Sequence, residues 1–257
     1  MLLHIIGSGI VGSATGDAFQ RFNHDIIYSD IEITAPDIGK ADFHFVCVPE
    51  TAVEEVIGSP RFSEMHDNNA PILIRSTVPP TTTQELATKY RKPFWHNPEF
   101  LREVTAEDDI LHSTYTVIGS AQPDKTKPPV LFEGYEQLYG ALQIEPILCS
   151  ATESELVKLI TNAYLSTQIG FWNEIKRITD IFGINSHSVA RTVARDTRIS
   201  KYGAYRHGEA FGGKCLPKDL EQLINVSPIT DGILNTVQMY NQELDNVLSG
   251  KWTDLID

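Results

Sequence analysis

The sequence predicts an α/β protein: a doubly wound parallel sheet over residues 1–149, followed by an all-helical part, residues 150–257, built on one long helix. Three observations carry this. Short apolar runs of strand length recur through the first half, punctuated by glycine and proline. The first of them leads straight into Gly7-Ser8-Gly9-Ile10-Val11-Gly12, after which Ala14, Ala18 and Phe19 change the spacing from that of a strand to that of a helix. Finally, from Ser150 to Phe182 an apolar pattern of helical spacing continues without a proline.

Composition bounds what such a chain can bind. At 257 residues, 41% of them hydrophobic, it can bury a proper core. A formal net charge of -13 argues against duplex nucleic acid or an anionic membrane as partner, because both require a basic surface. The expected ligand is small. Cys47, Cys149 and Cys215 are too few and too scattered for a disulfide framework or a zinc knuckle, so no metal is expected and a reducing cytoplasm fits best. The N-terminus lacks a basic region before its apolar run, and no later segment reaches bilayer length, so a soluble protein is expected.

Leu2–Ile6 reads as the first strand and the glycine segment as the turn into the first helix. Gly7 makes the tight turn, Gly9 lets the backbone approach a pyrophosphate, and Gly12 packs the helix on the strand, with Ile10 and Val11 at the helix start that attracts the anion. A second strand from Asp25 ends in Asp30, about 20 residues beyond the loop, where a carboxylate can accept hydrogen bonds from both ribose hydroxyls. This is a Rossmann-type arrangement, and Asp30 favours NAD over NADP, whose phosphate it would repel. Only Ile31 to Asp42 joins this strand to the next, too short for a full crossover helix. Phe43–Val48 before Pro49 reads as the third strand, and Ile72–Ile74 running on to Arg75, Ser76 and Thr77 as the fourth. Phe94–His96, breaking at Pro98, reads as the fifth and Thr116–Gly119 as the sixth, with Gln122 to Pro129 a surface loop between elements. Ligands of open α/β sheets gather at such strand ends, whereas Cys47 lies on a buried-strand pattern and is read as core.

In the second half, Ser150 with Glu153 and Thr152 with Glu155 form two overlapping capping boxes ahead of the long helix, which Gly183 stops. At about 30 residues such a helix is roughly 45 Å long, more than one small domain requires. It suits a spine shared between domains or subunits. Lys158 and Asn162, four apart, share one face of it, either as a solvated pair or as part of a site. Val189–Ala194 continues a helix, Tyr202 to Gly208 reads as a loop, and Leu234–Leu248 as a last amphipathic helix. Between them lies Ala210-Phe211-Gly212-Gly213-Lys214-Cys215-Leu216-Pro217-Lys218-Asp219, read from its residues as either a reactive thiol on a glycine loop or a glycine turn entering a helix with a buried cysteine.

With these pieces in order the chain resembles the UDP-glucose/GDP-mannose 6-dehydrogenase family. The blocks that carry the resemblance are Gly7 to Gly12, Asp30, Val46-Cys47-Val48-Pro49, Ser76-Thr77-Val78-Pro79-Pro80, Asn97-Pro98-Glu99-Phe100-Leu101-Arg102-Glu103, Lys158 through Asn162 to Asn173-Glu174, and Phe211 to Asp219. The resemblance implies oxidation of the primary alcohol of a nucleotide sugar, UDP-glucose-like, to a carboxylate with two NAD in succession. It implies Cys215 as nucleophile through a thiohemiacetal and a thioester, with Glu103 assisting release of the acid and Thr77 and Asp219 organising the water. Lys158 and Asn162 would stabilise the oxyanion, and Val48, Pro49, Ser76, Thr77 and Lys218 would join the glycines and Asp30 around NAD. Glu99, Phe100, Leu101, Phe211 and Gly212 would lie along the substrate, as would Arg198 reaching in from a neighbouring subunit of a homodimer formed through the long helix.

The match has departures. Glu50 stands where a threonine is usual, and Thr81, Val104 and Ala210 where glycines are usual. Family members carry a third, nucleotide-sugar-binding domain after the helical one, so the expectation is a short form that a separate protein or a second copy completes. Two other readings remain open: an NAD-dependent hydroxyacid-type dehydrogenase, which needs no cysteine and makes one NADH per substrate, and an NAD-binding subunit without turnover.

Overall fold

The computed structural model describes residues 1–30, 41–65, 70–122 and 127–249. The chain divides into two compact units, Met1–Lys158 and Leu159–Asp257.

In the first unit, β1 (Leu2–Ile6), β2 (Asp25–Ser29), β3 (Phe43–Val46), β4 (Ile72–Ile74), β5 (Phe94–His96), β6 (Tyr115–Ser120) and β7 (Glu145–Ser150) form one sheet in the order β2-β1-β3-β4-β5-β6-β7. Alternate residues of each strand face two apolar layers. Leu3, Ile5, Phe43, Phe45 and Leu73 point to one, while Ile6, Val46, Ile72 and Ile74 point to the other. Strands buried on both faces read as unbroken apolar runs, which is why their sequences announce them.

The sheet departs from the all-parallel expectation at one place: β5 and β6 run antiparallel, with Trp95 opposite Ser120. An antiparallel pair needs no crossover, so residues 97–114 stay at the carboxyl edge of the sheet, where ligands of such sheets gather. The α-helix Ala106–Leu111 and the 3-10 turn Glu103–Thr105 lie in this stretch. The seventh strand was not legible beforehand. It contains Pro146 and is partly exposed along its length, both tolerable only at a sheet edge. The Ile31 to Asp42 connection lies almost wholly outside the described residues, as does the centre of the Gln122 to Pro129 loop.

The helices of this unit are α1 (Ile10–Gln20), α2 (Glu50–Gly58), α3 (Pro60–Met65), α4 (Thr82–Tyr90), α5 (Ala106–Leu111), α6 (Tyr135–Tyr139) and the start of α7 (Ala151–Ile181). Of the two expected capping boxes on α7, one forms: Ser150 N–H donates to Glu153 (2.8 Å) and Glu153 N–H to the Ser150 hydroxyl (3.2 Å). Glu155 does not turn back to Thr152. Fully buried, it accepts hydrogen bonds from Thr81 N–H (2.6 Å) and Thr83 N–H (2.8 Å) at the start of α4. Thr81, one of the positions where the resemblance calls for glycine, has φ +82°, the left-handed region that favours glycine. The Glu155 carboxylate and the Thr81 hydroxyl bond to Glu85 (2.6 Å) hold it there.

Burial outweighs those N–H donors and pushes the Glu155 carboxyl up from 4.5 to about 7. Because the folded value lies above the unfolded one, the stabilisation is fully present below pH 4.5 and lost as pH rises through about 7. That amounts to at most about 3 kcal/mol. Buried His96, held down to about 3 by burial and then by the Lys158 and Arg75 charges, works in the opposite sense. The readout is therefore a difference: the unfolding free energy of wild type relative to Glu155→Gln, measured from pH 5 to 8, is expected to fall as pH rises. A constant difference would remove Glu155 from the pH response.

The second unit holds most of α7 together with α8 (Ser186–Val193), α9 (Lys201–Arg206), α10 (Leu216–Asn225) and α11 (Ile233–Leu248). The helix α9 replaces the expected loop. Ser200 caps it by accepting from Tyr202 N–H (3.2 Å), and Gly203 sits so close to α7 that a Cβ there would lie 2.6 Å from the Gln168 carbonyl oxygen. This glycine marks a close helix contact, and glycine in sequence reads the same either way. Ala163, Ile169, Phe211, Leu220 and Val237 form the apolar centre of the unit.

Candidate active site

The first group of expected residues lines a cleft of about 650 Å³ at the carboxyl ends of β1, β2 and β3. Gly7, Gly9, Asp30, Val48 and Pro49 form its walls, and Phe62 of α3 closes one side. Gly7 has φ +98°, making the turn out of β1, and Gly9 has open space where a Cβ would stand. Gly12, by contrast, is a packing residue: a Cβ would lie 1.9 Å from the Gly7 carbonyl oxygen, so only glycine lets α1 approach. Ile10 and Val11 are the first residues of α1, whose N–H groups are the natural anion donors. Asp30 accepts from Ser8 N–H (2.6 Å) and from the Ser8 hydroxyl (2.5 Å), which fixes the carboxylate beside the glycine turn. A volume in the range of small-molecule pockets, an open Gly9 and an oriented carboxylate suit an adenine dinucleotide. Cys47 borders this cleft, and burial pushes its thiol up to about 12, so it stays protonated. Ser76 is buried and donates to the Val48 carbonyl oxygen (2.6 Å), tying the end of β4, and Thr77 with it, to the Val48–Pro49 turn.

The second group centres on Lys158, 3% exposed. Its ammonium donates to the Glu99 carbonyl (2.6 Å) and carboxylate (2.9 Å) and stands 5.5 Å from the Phe100 ring centre. The other Glu99 oxygen accepts from Leu101 N–H (2.7 Å), so the 99–101 segment is folded around the ammonium. Glu103 belongs to the 3-10 turn that follows, and its side chain lies outside what the structure describes.

The third group belongs to the second unit. Asn162 Nδ2 donates to the Asp219 carboxylate (2.5 Å), and Lys218 pairs with the other carboxylate oxygen at 2.7 Å. Asp219 is 1% exposed. Cys215 is exposed, is joined to no other cysteine, and is the N-cap of α10. Asp219 N–H donates to its carbonyl (2.9 Å), so nucleophile candidate and carboxylate sit one helical turn apart. The glycine turn thus does enter a helix, and the thiol at its start is accessible instead of buried. Phe211 is buried at the head of the loop and Gly212 is exposed. Arg198 is exposed and paired with its neighbour Asp196 (2.6 Å). Among the described residues no cluster of histidine, cysteine and carboxylate could hold a metal, and no helix is long and apolar enough to cross a membrane.

Sequence reasoning missed Ser8, which orients Asp30, and the cleft residues Glu55, Ser59 and Phe62. Ser8 lies between the glycines of the motif, which require nothing of its side chain, and the others belong to α2, α3 and the junction between them, whose placement only the packed sheet reveals.

The model of the UDP-glucose/GDP-mannose dehydrogenase family NAD binding domain matches residues 34–143, and that of the same family's central domain matches residues 152–243. A UDP-glucose 6-dehydrogenase of Streptococcus pneumoniae is 31% identical over 192 residues, covering 72% of this chain and 48% of its own length. One from Rickettsia conorii is 29% identical over 243 residues, covering 91% and 53%. The chain thus spans about half the length of these curated relatives. Among solved structures, a UDP-glucose dehydrogenase of Pyrobaculum islandicum superposes with a TM-score of 0.78 at 20% identity, over 96% of this chain and 68% of that one. A 3-hydroxyisobutyrate dehydrogenase of Mycobacterium tuberculosis reaches 0.72 at 13% identity, over 94% and 92%. At those identities the two structures speak to the fold alone.

Proposed function

Since the chain belongs to the UDP-glucose/GDP-mannose dehydrogenase family, we propose that it oxidises the primary alcohol of a nucleotide sugar to the carboxylate, with NAD as acceptor and a thioester on Cys215. The observation that carries this reading is the exposed Cys215 at the start of α10, one turn from a buried Asp219 held by Asn162. A structural glycine turn has no use for that set. Helix starts favour negative charge, which suits a cysteine that must act as thiolate.

The glycine turn, Asp30 and the α1 N-terminus would hold NAD, which accepts one hydride per molecule, so the oxidation of alcohol to carboxylate would use two NAD in succession. Cys215 Sγ adds to the carbon of the aldehyde that the first oxidation produces, and the second oxidation turns the adduct into a thioester. Water then attacks the thioester carbonyl, releasing the carboxylate and returning the proton to the thiol, with Glu103 as base and Thr77 and Asp219 orienting the water. Lys158 and Asn162 donate to the oxygen that gains charge. Glu99, Phe100, Leu101, Phe211, Gly212 and Arg198 contact the sugar nucleotide, and Lys218 the cofactor. The test is to count NADH per substrate with a panel of nucleotide sugars. Two NADH per substrate supports the thioester route, one supports the hydroxyacid-type reading, and none the reading as a subunit without turnover.

The protein acts as a homodimer through α7. Ile160, Tyr164, Phe171, Ile178 and Ile181 are all exposed and recur at intervals of four, seven, seven and three, the spacing of a helix-pairing seam. Sedimentation velocity is expected to show a dimer for wild type and a monomer for Phe171→Glu. A monomeric wild type would dismiss the seam.

A further inference from the structure

We infer that Asn241 is a positioning residue for the cysteine loop. The segment from His207 to Cys215 has no regular secondary structure, so its main-chain polar groups need partners from elsewhere. Two asparagines from different helices supply them. Asn173 of α7 accepts from Gly208 N–H (2.7 Å) and donates to the Glu209 carbonyl (2.8 Å). Asn241 of α11 accepts from Phe211 N–H (2.8 Å) and donates to the Phe211 carbonyl (2.9 Å). Each carboxamide treats the loop as a neighbouring β-strand would, satisfying a donor and an acceptor at once. The pairing also settles the amide orientation, since only Oδ1 can face the N–H and only Nδ2 the carbonyl.

Among the hydrogen bonds between helix side chains and the loop backbone described above, those of Asn241 lie nearest in sequence to the thiol. Phe211 is buried against Ala163, Ile169, Leu220 and Val237, and Asn241 clamps its backbone while those side chains hold its ring. Beyond it come Gly212 and Gly213, the latter at φ +76°, with open space where either Cβ would stand. Neither glycine has a side chain to fix a direction, so on its N-terminal side the path of the chain into Cys215 is set at Phe211, while α10 holds it from the other side. Aspartate at 241 cannot donate and leucine can do neither, so a carboxamide is required there.

The proposal deepens the thioester reading, but it is tested on the thiol itself. In full-length protein, the rate of Cys215 alkylation by iodoacetamide is measured by site-resolved mass spectrometry as a function of pH for wild type, Asn241→Asp and Asn241→Leu. Cys47 and Cys149, whose thiols burial pushes up to about 12 and about 11, serve as internal references. The expected result is a change of about tenfold in Cys215 alkylation and a shifted pH profile, the size that losing a part-buried hydrogen bond can produce, with Cys47 and Cys149 unchanged. In turnover, kcat falls by a similar factor with little change in KM. Wild-type alkylation kinetics in folded Asn241→Asp would overturn the proposal; this variant keeps shape and one hydrogen bond, so it remains informative if Asn241→Leu fails to fold. Altered alkylation in a protein that makes no NADH would support the positioning role while removing the dehydrogenase reading.

Discussion

Cys215→Ala is expected to abolish carboxylate formation while NAD binding is retained. The thiol is the group proposed to hold the aldehyde carbon between the two oxidations, and neither Cys47 nor Cys149 can replace it, because burial keeps both protonated at neutral pH. Loss of a covalent nucleophile removes the route itself, so kcat for acid production should fall by roughly a thousandfold or more. Gly7, Gly9 and Asp30, which line the NAD cleft, are untouched by the substitution, so cofactor affinity should be unchanged within about twofold. Two measurements decide it: NADH per nucleotide sugar at completion, and NAD affinity by equilibrium titration. Two NADH per substrate from the purified variant would exclude the thioester. Cys215→Ser, which keeps a weak nucleophile in the same place, should trap acyl-enzyme and make the covalent step visible by mass spectrometry.

Lys158 is the second. Replacing it with methionine removes a cation whose partner, Glu99, is itself buried. Breaking a buried pair from one side leaves an uncompensated charge, and the expected loss of stability is about 3–5 kcal/mol by denaturant unfolding. Removing a donor from a developing oxyanion costs roughly 3 kcal/mol of barrier, about a hundredfold in rate. The two effects can be separated. In the double variant Lys158→Met with Glu99→Gln no buried charge is left unpaired, so most of the stability should return while turnover stays low. If turnover returned along with stability, Lys158 would be a structural residue and not an oxyanion donor.

Helix α7 shows how unevenly such features announce themselves. Its length, its stop at Gly183 and the Ser150–Glu153 cap follow from neighbours within a few residues of each other. Glu155 looks the same as Glu153 in that local view, yet it leaves the helix to bind residues more than seventy positions away. The same holds for the two asparagines on the cysteine loop. Their amides are ordinary helix-surface residues until α7 and α11 are packed around residues 208–211.

By itself the sequence determined what short-range sterics and periodicity determine: the strand, glycine turn and helix around Gly7 to Gly12, the acid at Asp30, the apolar strand runs, the long helix, and the turn that delivers Cys215. These depend on spacings of two to about twenty residues, which the chain carries wherever it goes. The tertiary structure alone decided that β5 and β6 run antiparallel, that β7 forms the sheet edge, that Gly203 packs inside a helix contact, and that Glu155, Ser8 and Asn241 hold backbone. Each of those depends on which distant polar group or surface arrives opposite a residue, and a hydrogen-bonding side chain in sequence looks the same whether its partner is water or a loop thirty residues away.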